Sequence, residues 1–261
     1  MPQTRKAAVS GLFYPDDPAT LKMMIADLLG TVNPLPNRFR AVIAPHAGYI
    51  YSGKTAAYAY KPLERLRNQI KRVVLFGPAH RVPFSGIAAS SADYFETPLG
   101  RIPLDTNAIK ELHDRAFIHL LDSPHEQEHS LEVQLPFLQT VLSDFTLVPL
   151  VVGDAPATKV TEIIDYFWHD SSTFFLISSD LSHFHDYQLA NTIDRQTANA
   201  IMAMEPDKIN YDHACGRTPV NGLLNFARSH HLKPTLLDLR NSGDTAGDHQ
   251  RVVGYGAFGF E

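Results

Sequence analysis

Three histidines each come a few residues after a short apolar run that is typical of a buried strand; they are His46, His80 and His183. Neutral imidazole is the commonest metal ligand, and two histidines with one carboxylate leave open positions in non-haem iron(II) sites. His46 and His80 follow their runs closely, so we predict them as ligands. His183 lies in a longer turn, which suits acid/base work. The pattern predicts a pocket for a divalent metal, with iron(II) as the expected ion.

Carboxylates near these histidines could complete the site. Asp180 could orient a histidine or merely cap the turn after its strand. Asp244 lies in a turn-rich loop, where Gly243 could bring the backbone close to a ligand, although the loop could equally be a plain polar turn. We predict Asp244 as the third metal ligand and Asp180 as a catalytic residue beside His183.

Other polar residues are candidates for lining the same pocket. His129 and Glu132 are three apart and would share one face of a helix. An N-cap at Ser130 and the helix dipole explain Glu132 without any pocket, but they leave His129 unexplained. His185 would face the same side as His183 if the chain is extended there.

A sheet is needed to bring these residues to one edge. The strand-like apolar runs are residues 41–44, 72–77, 146–152, 173–178, 235–239 and 251–260. The segments with helical spacing are residues 17–30, 53–66, 130–142, 155–168, 187–202 and 219–231. This alternation predicts an α/β fold, with a largely parallel central sheet flanked by helices in one domain over residues 1–261. Residues 91–105 are expected to form a loop or a hairpin. Ligands of such sheets bind beyond the carboxyl ends of the strands, so the three histidines predict one shared pocket.

The composition is that of an ordinary globular protein. A formal net charge of -5, without basic clusters, predicts no nucleic-acid or membrane partner. The absence of a signal-like or spanning apolar run predicts a cytoplasmic protein. Cys215 is the single cysteine, which excludes an internal disulfide and a thiolate-rich metal site and leaves histidine and carboxylate as the expected ligands.

Five motifs, together with the opening AVSGLFYPDD, resemble the Memo family from end to end; they are APHAGYIYSG, GPAHRVPFSG, EHSLEVQLPF, SSDLSHFH and SGDTAGDHQRVVGYGAFGF. The resemblance implies a LigB-like fold shared with the class III extradiol dioxygenases, which open catechol rings using non-haem iron(II) and oxygen. It also places His46 and His80 at metal-ligand positions and His183 at the acid/base position. Microbial relatives are often grouped with an AMMECR-like domain and a radical-SAM protein (AmmeMemoRadiSam), which implies a shared pathway.

The chain departs from the family pattern at one position. Animal Memo proteins carry a cysteine as a site residue before the last strand, and this chain has Thr245 there, beside Asp244. Thr245 is therefore a further pocket candidate. Cys215 belongs to a different family motif, and we expect it to be structural.

Two classes of function follow from this sequence. The first is a metal-dependent oxidoreductase that resembles an extradiol dioxygenase and acts on an unknown small molecule. The second is a non-catalytic binding or adaptor module that uses the same pocket for a peptide or a small anion. A zinc-type hydrolase is a third alternative.

Overall fold

The apolar runs form the strands at the centre of the protein. The computed structural model describes residues 2–33, 36–115 and 118–261. The strands in these ranges are β1 (Thr4–Arg5), β2 (Ala41–Ala44), β3 (Arg72–Pro78), β4 (Ile87–Ala89), β5 (Tyr94–Thr97), β6 (Gly100–Pro103), β7 (His119–Leu120), β8 (Thr146–Val152), β9 (Thr173–Ser178), β10 (His183–His185), β11 (Pro234–Asn241) and β12 (Val252–Phe260).

The large sheet has a parallel centre and mostly antiparallel flanks. Strands β2, β9, β3 and β8 run parallel to one another in that order. Antiparallel strands continue the sheet on both sides, β12 next to β2 and β4 next to β8. Beyond them, β10 and β11 both pair antiparallel with β12, while β7 pairs parallel with β4. The prediction of an α/β fold is confirmed, and the sheet as a whole is mixed because antiparallel strands flank its parallel centre.

A smaller sheet contains the segment for which a loop or a hairpin was expected. Strands β5 and β6 form an antiparallel hairpin, in which Thr97 pairs with Gly100. Gly100 has a φ of +121°, a conformation that favours glycine. Strand β1 adds in parallel to β5, so this sheet ties the beginning of the chain to the hairpin.

The helices are α1 (Pro18–Gly30), α2 (Tyr49–Tyr60), α3 (Thr106–Asp114), α4 (Ser123–Glu126), α5 (His129–Glu132), α6 (Leu135–Val141), α7 (Ala157–Trp168), α8 (Tyr187–Met202) and α9 (Arg217–Ser229). Asp17 caps α1 by accepting a 2.8 Å hydrogen bond from the backbone N–H of Thr20. The helix predicted over 130–142 is divided into α5 and α6, with Pro136 in the first turn of the second. Within the described ranges, no helix combines the length and the apolar character needed to cross a membrane.

The parallel centre of the sheet positions the candidate site. Strands β2, β3 and β9 are neighbours, and from their second residues onward their side chains are buried. Because the strands run in one direction, the loops that follow them emerge at the same edge. Those loops carry His46, His80 and Asp180, each two residues beyond the end of its strand.

Candidate functional site

His46 is held by the neighbouring strand β9. Its side chain is only 2% exposed. Its backbone N–H donates a 2.7 Å hydrogen bond to Oδ1 of Asp180, and its Nδ1 lies 2.8 Å from Oγ of Ser178. The end of β9 therefore fixes both the backbone and the ring of His46.

A chain of hydrogen bonds sets the tautomer of this ring. The Tyr60 hydroxyl donates to Oε1 of Gln134, so the Gln134 amide N–H is left to donate to Ser178 Oγ at 2.8 Å. The Ser178 hydroxyl donates its own proton to the Ser130 carbonyl at 2.6 Å. Ser178 Oγ can then only accept from Nδ1–H of His46, and Nε2 keeps its lone pair.

His80 is oriented by a buried carboxylate. Glu128, at the N-cap of α5, accepts hydrogen bonds from the backbone N–H of His80 at 2.6 Å and from its Nδ1 at 2.9 Å. Burial opposes the charge of Glu128, but these bonds and one from the Ser130 N–H outweigh it and lower the Glu128 pKa to about 2. With Nδ1 occupied, Nε2 of His80 is free for a ligand, as in carboxylate–histidine–metal sites.

His129 completes a cluster of three imidazoles. Its ring centroid lies 4.6 Å from that of His80 and 5.4 Å from that of His46. Burial lowers the pKa of His129 to about 4. Burial also holds the pKa of His46 well below its ordinary value. Both rings are therefore neutral near pH 7, the form that binds metals.

Cys215 joins this cluster from the loop before α9. Its Sγ lies 3.3 Å from Nε2 of His46. The neighbouring Gly216 allows this approach, because a Cβ there would come within 2.7 Å of Cβ of Ser179 and 2.8 Å of the Ser178 carbonyl oxygen. Burial raises the pKa of the Cys215 thiol, and the Asp180 carboxylate adds to this effect.

Cys215 and Glu128 also belong to the site, although neither was predicted from the sequence. A usable signal for the first was the Cys215–Gly216 pair, in which the glycine indicates a close backbone approach. Glu128 directly precedes His129, but Ser130 was expected to cap the helix, and the cap is Glu128 instead.

Two groups of side chains in the described ranges could hold a metal ion, each with ligand atoms within 4.8 Å of one another. The first is His46, His80 and Cys215, and the second is His80, Glu128 and His129. In the second group the carboxylate oxygens already accept hydrogen bonds from His80 and Ser130. In the first group the Cys215 thiol and Nε2 of His46 contact each other at 3.3 Å, and no carboxylate of the described residues is hydrogen-bonded to Nε2 of either ring, so this group suits a metal better.

A cavity of about 550 Å³ lies beside His129, and neither His46 nor His80 is among its lining residues. Its lining includes His129, Asp180 and His183, together with aromatic side chains and part of the loop before β12. Nδ1 of His183 lies 2.9 Å from the Leu181 carbonyl oxygen, to which it donates, so the lone pair is on Nε2. A cavity of this size fits a small molecule.

Asp180 lies between the cluster and the cavity and is buried. One oxygen accepts from the backbone of His46, and the other lies 4.0 Å from the Nε2 atom of that residue. Burial raises the Asp180 pKa, and the neighbouring His183 partly offsets this. The carboxylate thus holds the loop after β2 and also faces the cavity.

The structure does not bring Asp244 or Thr245 to the imidazoles. The Asp244 carboxylate accepts from the Tyr187 hydroxyl at 2.6 Å and from the backbone N–H of Asn241 at 2.9 Å. Thr245 donates its hydroxyl to the Ser242 carbonyl at 3.1 Å. Both side chains stabilise their own turn, and Asp244 belongs to neither group of possible ligands.

Glu132 also lies away from the cavity. It is fully buried, and its oxygens accept from the Arg5 guanidinium, from the Tyr14 hydroxyl and from two backbone N–H groups of residues 8–9. His129 packs against His46 and His80, whereas Glu132 binds Arg5 and Tyr14 from the beginning of the chain.

His185 is separated from His183 by a break in the regular strand. Phe184 has a φ of +62°, and the register of β10 against β12 shifts between the two histidines. His185 was expected to face the same side as His183 only if the chain between them were extended, and the structure interrupts the strand there. His183 lines the cavity, whereas His185 is not among its lining residues.

Relatives from archaea and animals resemble this chain over most of its length. A MEMO1 family protein of Nitrosopumilus maritimus is 32% identical, covering 98% of this chain and 99% of its own. A MEMO1 family protein of Thermoplasma volcanium is 33% identical, covering 96% of each chain. The memo-1 homolog of Caenorhabditis elegans is 31% identical, covering 86% of this chain and 71% of its own.

A solved structure and a family model extend this comparison. The uncharacterised protein JW3007 of Escherichia coli K12 matches with a TM-score of 0.50 and 14% identity, covering 84% of this chain and 99% of its own, which shows a likeness of fold alone. The model of the Memo-like protein family matches residues 5–258. With its histidine motifs inside this nearly complete match, the chain belongs to the Memo family.

Proposed function

We propose that this protein is a metal-dependent oxidoreductase that acts on a small molecule bound in the cavity beside the imidazoles. The observation that carries the proposal is the convergence of His46, His80 and Cys215, whose ligand atoms lie within 4.8 Å of one another. His129 and Asp180 contact this group and also line the cavity. The resemblance to the class III extradiol dioxygenases supports a redox reaction rather than hydrolysis.

The ligand atoms fit a transition-metal ion. Ser178 and Glu128 each take the Nδ1 of one imidazole, so that both rings have their Nε2 atoms free. Two imidazoles suit iron, copper and zinc, and a thiol adds a soft ligand. We propose iron(II) as the ion because of the resemblance to the extradiol dioxygenases, since the thiol by itself equally suits copper(I) or zinc. When bound, iron(II) would supply one-electron chemistry and open positions for substrate and oxygen.

The residues of the chain itself would position the substrate and move its proton. His183 would take the proton of an acidic substrate hydroxyl at Nε2, since its Nδ1 is bound to the Leu181 carbonyl. Asp180 would keep the loop of His46 in place through its 2.7 Å hydrogen bond. The neutral ring of His129 would form the wall between the cluster and the cavity.

Anaerobic titration with iron(II) tests the metal site. We expect stoichiometric binding by wild-type protein, loss of binding in His46→Ala, and a weaker complex in Cys215→Ser. Asp244→Asn is the matched control, because its carboxylate is bound to Tyr187 and Asn241. Absence of iron binding by the wild type would contradict the proposal and favour the binding module.

Oxygen uptake with a panel of catechols tests the reaction. His183→Gln is expected to lower turnover by about a hundredfold while leaving iron affinity nearly intact, because an acid/base group contributes to the reaction and not to metal binding. Loss of iron in His183→Gln would make His183 a ligand. No uptake with any catechol would contradict extradiol-type chemistry.

A further inference from the structure

The cavity combines aromatic walls with one cation. Phe13, Tyr51 and Tyr255 contribute aromatic rings to its lining, and Arg251 is its one lysine or arginine among the described residues. No carboxylate in that part of the chain lies within 4.0 Å of the Arg251 guanidinium nitrogens. The Arg251 guanidinium therefore makes no close ion pair in the described ranges, where its interaction with a carboxylate of the cavity is a longer-range one with Asp248.

The two carboxylates of the cavity are occupied elsewhere. Asp180 is buried and accepts the backbone N–H of His46. Asp248 is exposed and accepts the backbone N–H groups of Gln250 and Arg251, so it caps its own turn. Although Asp248 lies near Arg251 in the chain, it makes no ion pair with that guanidinium.

An exposed aromatic ring supports the guanidinium. The Arg251 Cζ lies 5.0 Å from the ring centroid of Phe184, a residue that is 61% exposed. Phe184 also has the unusual φ of +62°, a conformation that costs energy for a non-glycine residue and tends to occur at functional sites. Contact with an aromatic face favours a guanidinium and limits its freedom.

We propose that the cavity binds a small aromatic carboxylate, with Arg251 as the residue that recognises its acidic group. The planar guanidinium can donate two parallel hydrogen bonds to a carboxylate, and the aromatic walls accept a planar apolar body. A single cation matches the single charge of a carboxylate better than the double charge of a phosphate. The inference rests on the proposed function in one respect, namely that this cavity is the substrate site.

Two probes that differ only in charge test this inference. We would measure the binding of 4-hydroxybenzoate and its neutral analogue 4-hydroxybenzamide by NMR titration, with and without iron(II) under anaerobic conditions. We expect wild-type protein to bind the benzoate at least about tenfold more tightly, because charge-assisted hydrogen bonds are the stronger ones. Arg251→Gln should abolish the preference, and Arg251→Lys should retain part of it.

Control variants separate recognition from general charge effects. Arg228→Gln removes an exposed arginine at the end of α9 and should leave the preference unchanged. Phe184→Leu should reduce benzoate affinity several-fold and leave benzamide affinity unchanged. Equal binding of the two probes, no binding of either, or a preference that survives in Arg251→Gln would overturn the inference. A benzoate preference in protein that binds no iron would contradict the proposed function alone.

Discussion

Two buried glutamates at opposite ends of the EHSLE segment illustrate two uses of a carboxylate. Glu128 is 1% exposed and Glu132 is 0% exposed. The four donors of Glu132 all belong to the first fourteen residues of the chain, and Arg5 also donates to the carbonyls of His125 and Glu128. Glu128 instead accepts hydrogen bonds from the backbone N–H and Nδ1 of His80, whose Nε2 has no carboxylate partner in the described ranges.

The polar groups around Glu132 and those around Glu128 differ in whether some donor and acceptor atoms remain available to a ligand. Around Glu132 every charge is paired, which is what a structural network requires. Around Glu128 the network ends in ligand atoms, namely Nε2 of His80, Nε2 of His46 and Sγ of Cys215. A polar cluster whose hydrogen bonds end in ligand atoms that face one another is therefore the better candidate for function.

The largest expected effect is on folding, at Glu132. Glu132→Gln leaves the Arg5 guanidinium buried without a charged partner, so we expect the free energy of unfolding to fall by about 3–5 kcal/mol. Urea denaturation measures this, and Glu126→Gln, which changes an exposed carboxylate just before the EHSLE segment, is the control. Iron affinity of the folded variant should not change; a large loss would place Glu132 in the metal site.

The opposite pattern is expected at Glu128. Glu128→Gln removes the charged acceptor of the His80 Nδ1–H, and loss of such an orienting partner typically lowers metal affinity about 10–100-fold. Competition with a chelator measures that affinity. Unchanged iron binding in Glu128→Gln would show that the two glutamates do not differ as we infer.

A third buried carboxylate sharpens the comparison through its pH dependence. Asp194 accepts from the Ser182 N–H at 3.0 Å, but its Oδ2 has no hydrogen-bond partner. Burial raises the Asp194 pKa from 3.8 to about 6, so the folded protein binds this proton more tightly than the unfolded chain does. The contribution of Asp194 to stability is therefore fully present below pH 3.8 and lost as pH rises through about 6.

Asp194→Asn removes this charge and is expected to raise the free energy of unfolding by about 1–2 kcal/mol at pH 7.5. At pH 4 the variant and the wild type should differ little. Denaturation curves at the two pH values measure the difference. An equal gain at both would mean that the charge of Asp194 is not the cause.

The smallest effect is expected at Asp244. Asp244→Asn keeps an oxygen for capping the turn at Ser242–Asp244, so stability should change by less than about 0.5 kcal/mol, as for most exposed positions. Iron affinity should stay within about twofold of the wild type, because Asp244 belongs to neither group of possible ligands and orients none of their rings. A large loss of iron would restore Asp244 as the third ligand.

The sequence predicted the positions that depend on strand order. His46 and His80 each follow an apolar run, and parallel neighbours bring such residues to one edge. Cys215 could not be found in this way, because it follows no strand and contacts His46 across 169 residues of sequence. Its place depends on how the loop before α9 packs against β9, which no hydrophobic periodicity encodes.

Local polar chemistry was the second limit on prediction from sequence. Glu128, Ser130 and Asp244 are all residues that can cap a helix or a turn, and such residues compete for the same backbone groups. The sequence alone does not determine which of these residues caps a helix or turn and which contacts the buried histidines. The structure gives the cap of α5 to Glu128 and confines Asp244 to its own turn.

The position of β12 has a consequence for the order in which the protein is made. This strand lies between β2 and β10, yet it is synthesised after every other strand of the sheet. On the ribosome, β10 and its His183 have no strand to pair with until residues 252–260 emerge, since non-local pairing must wait for both partners. A nascent chain can therefore bring His46 and His80 together well before the cavity is complete. The cavity can be completed only after translation has reached residue 260.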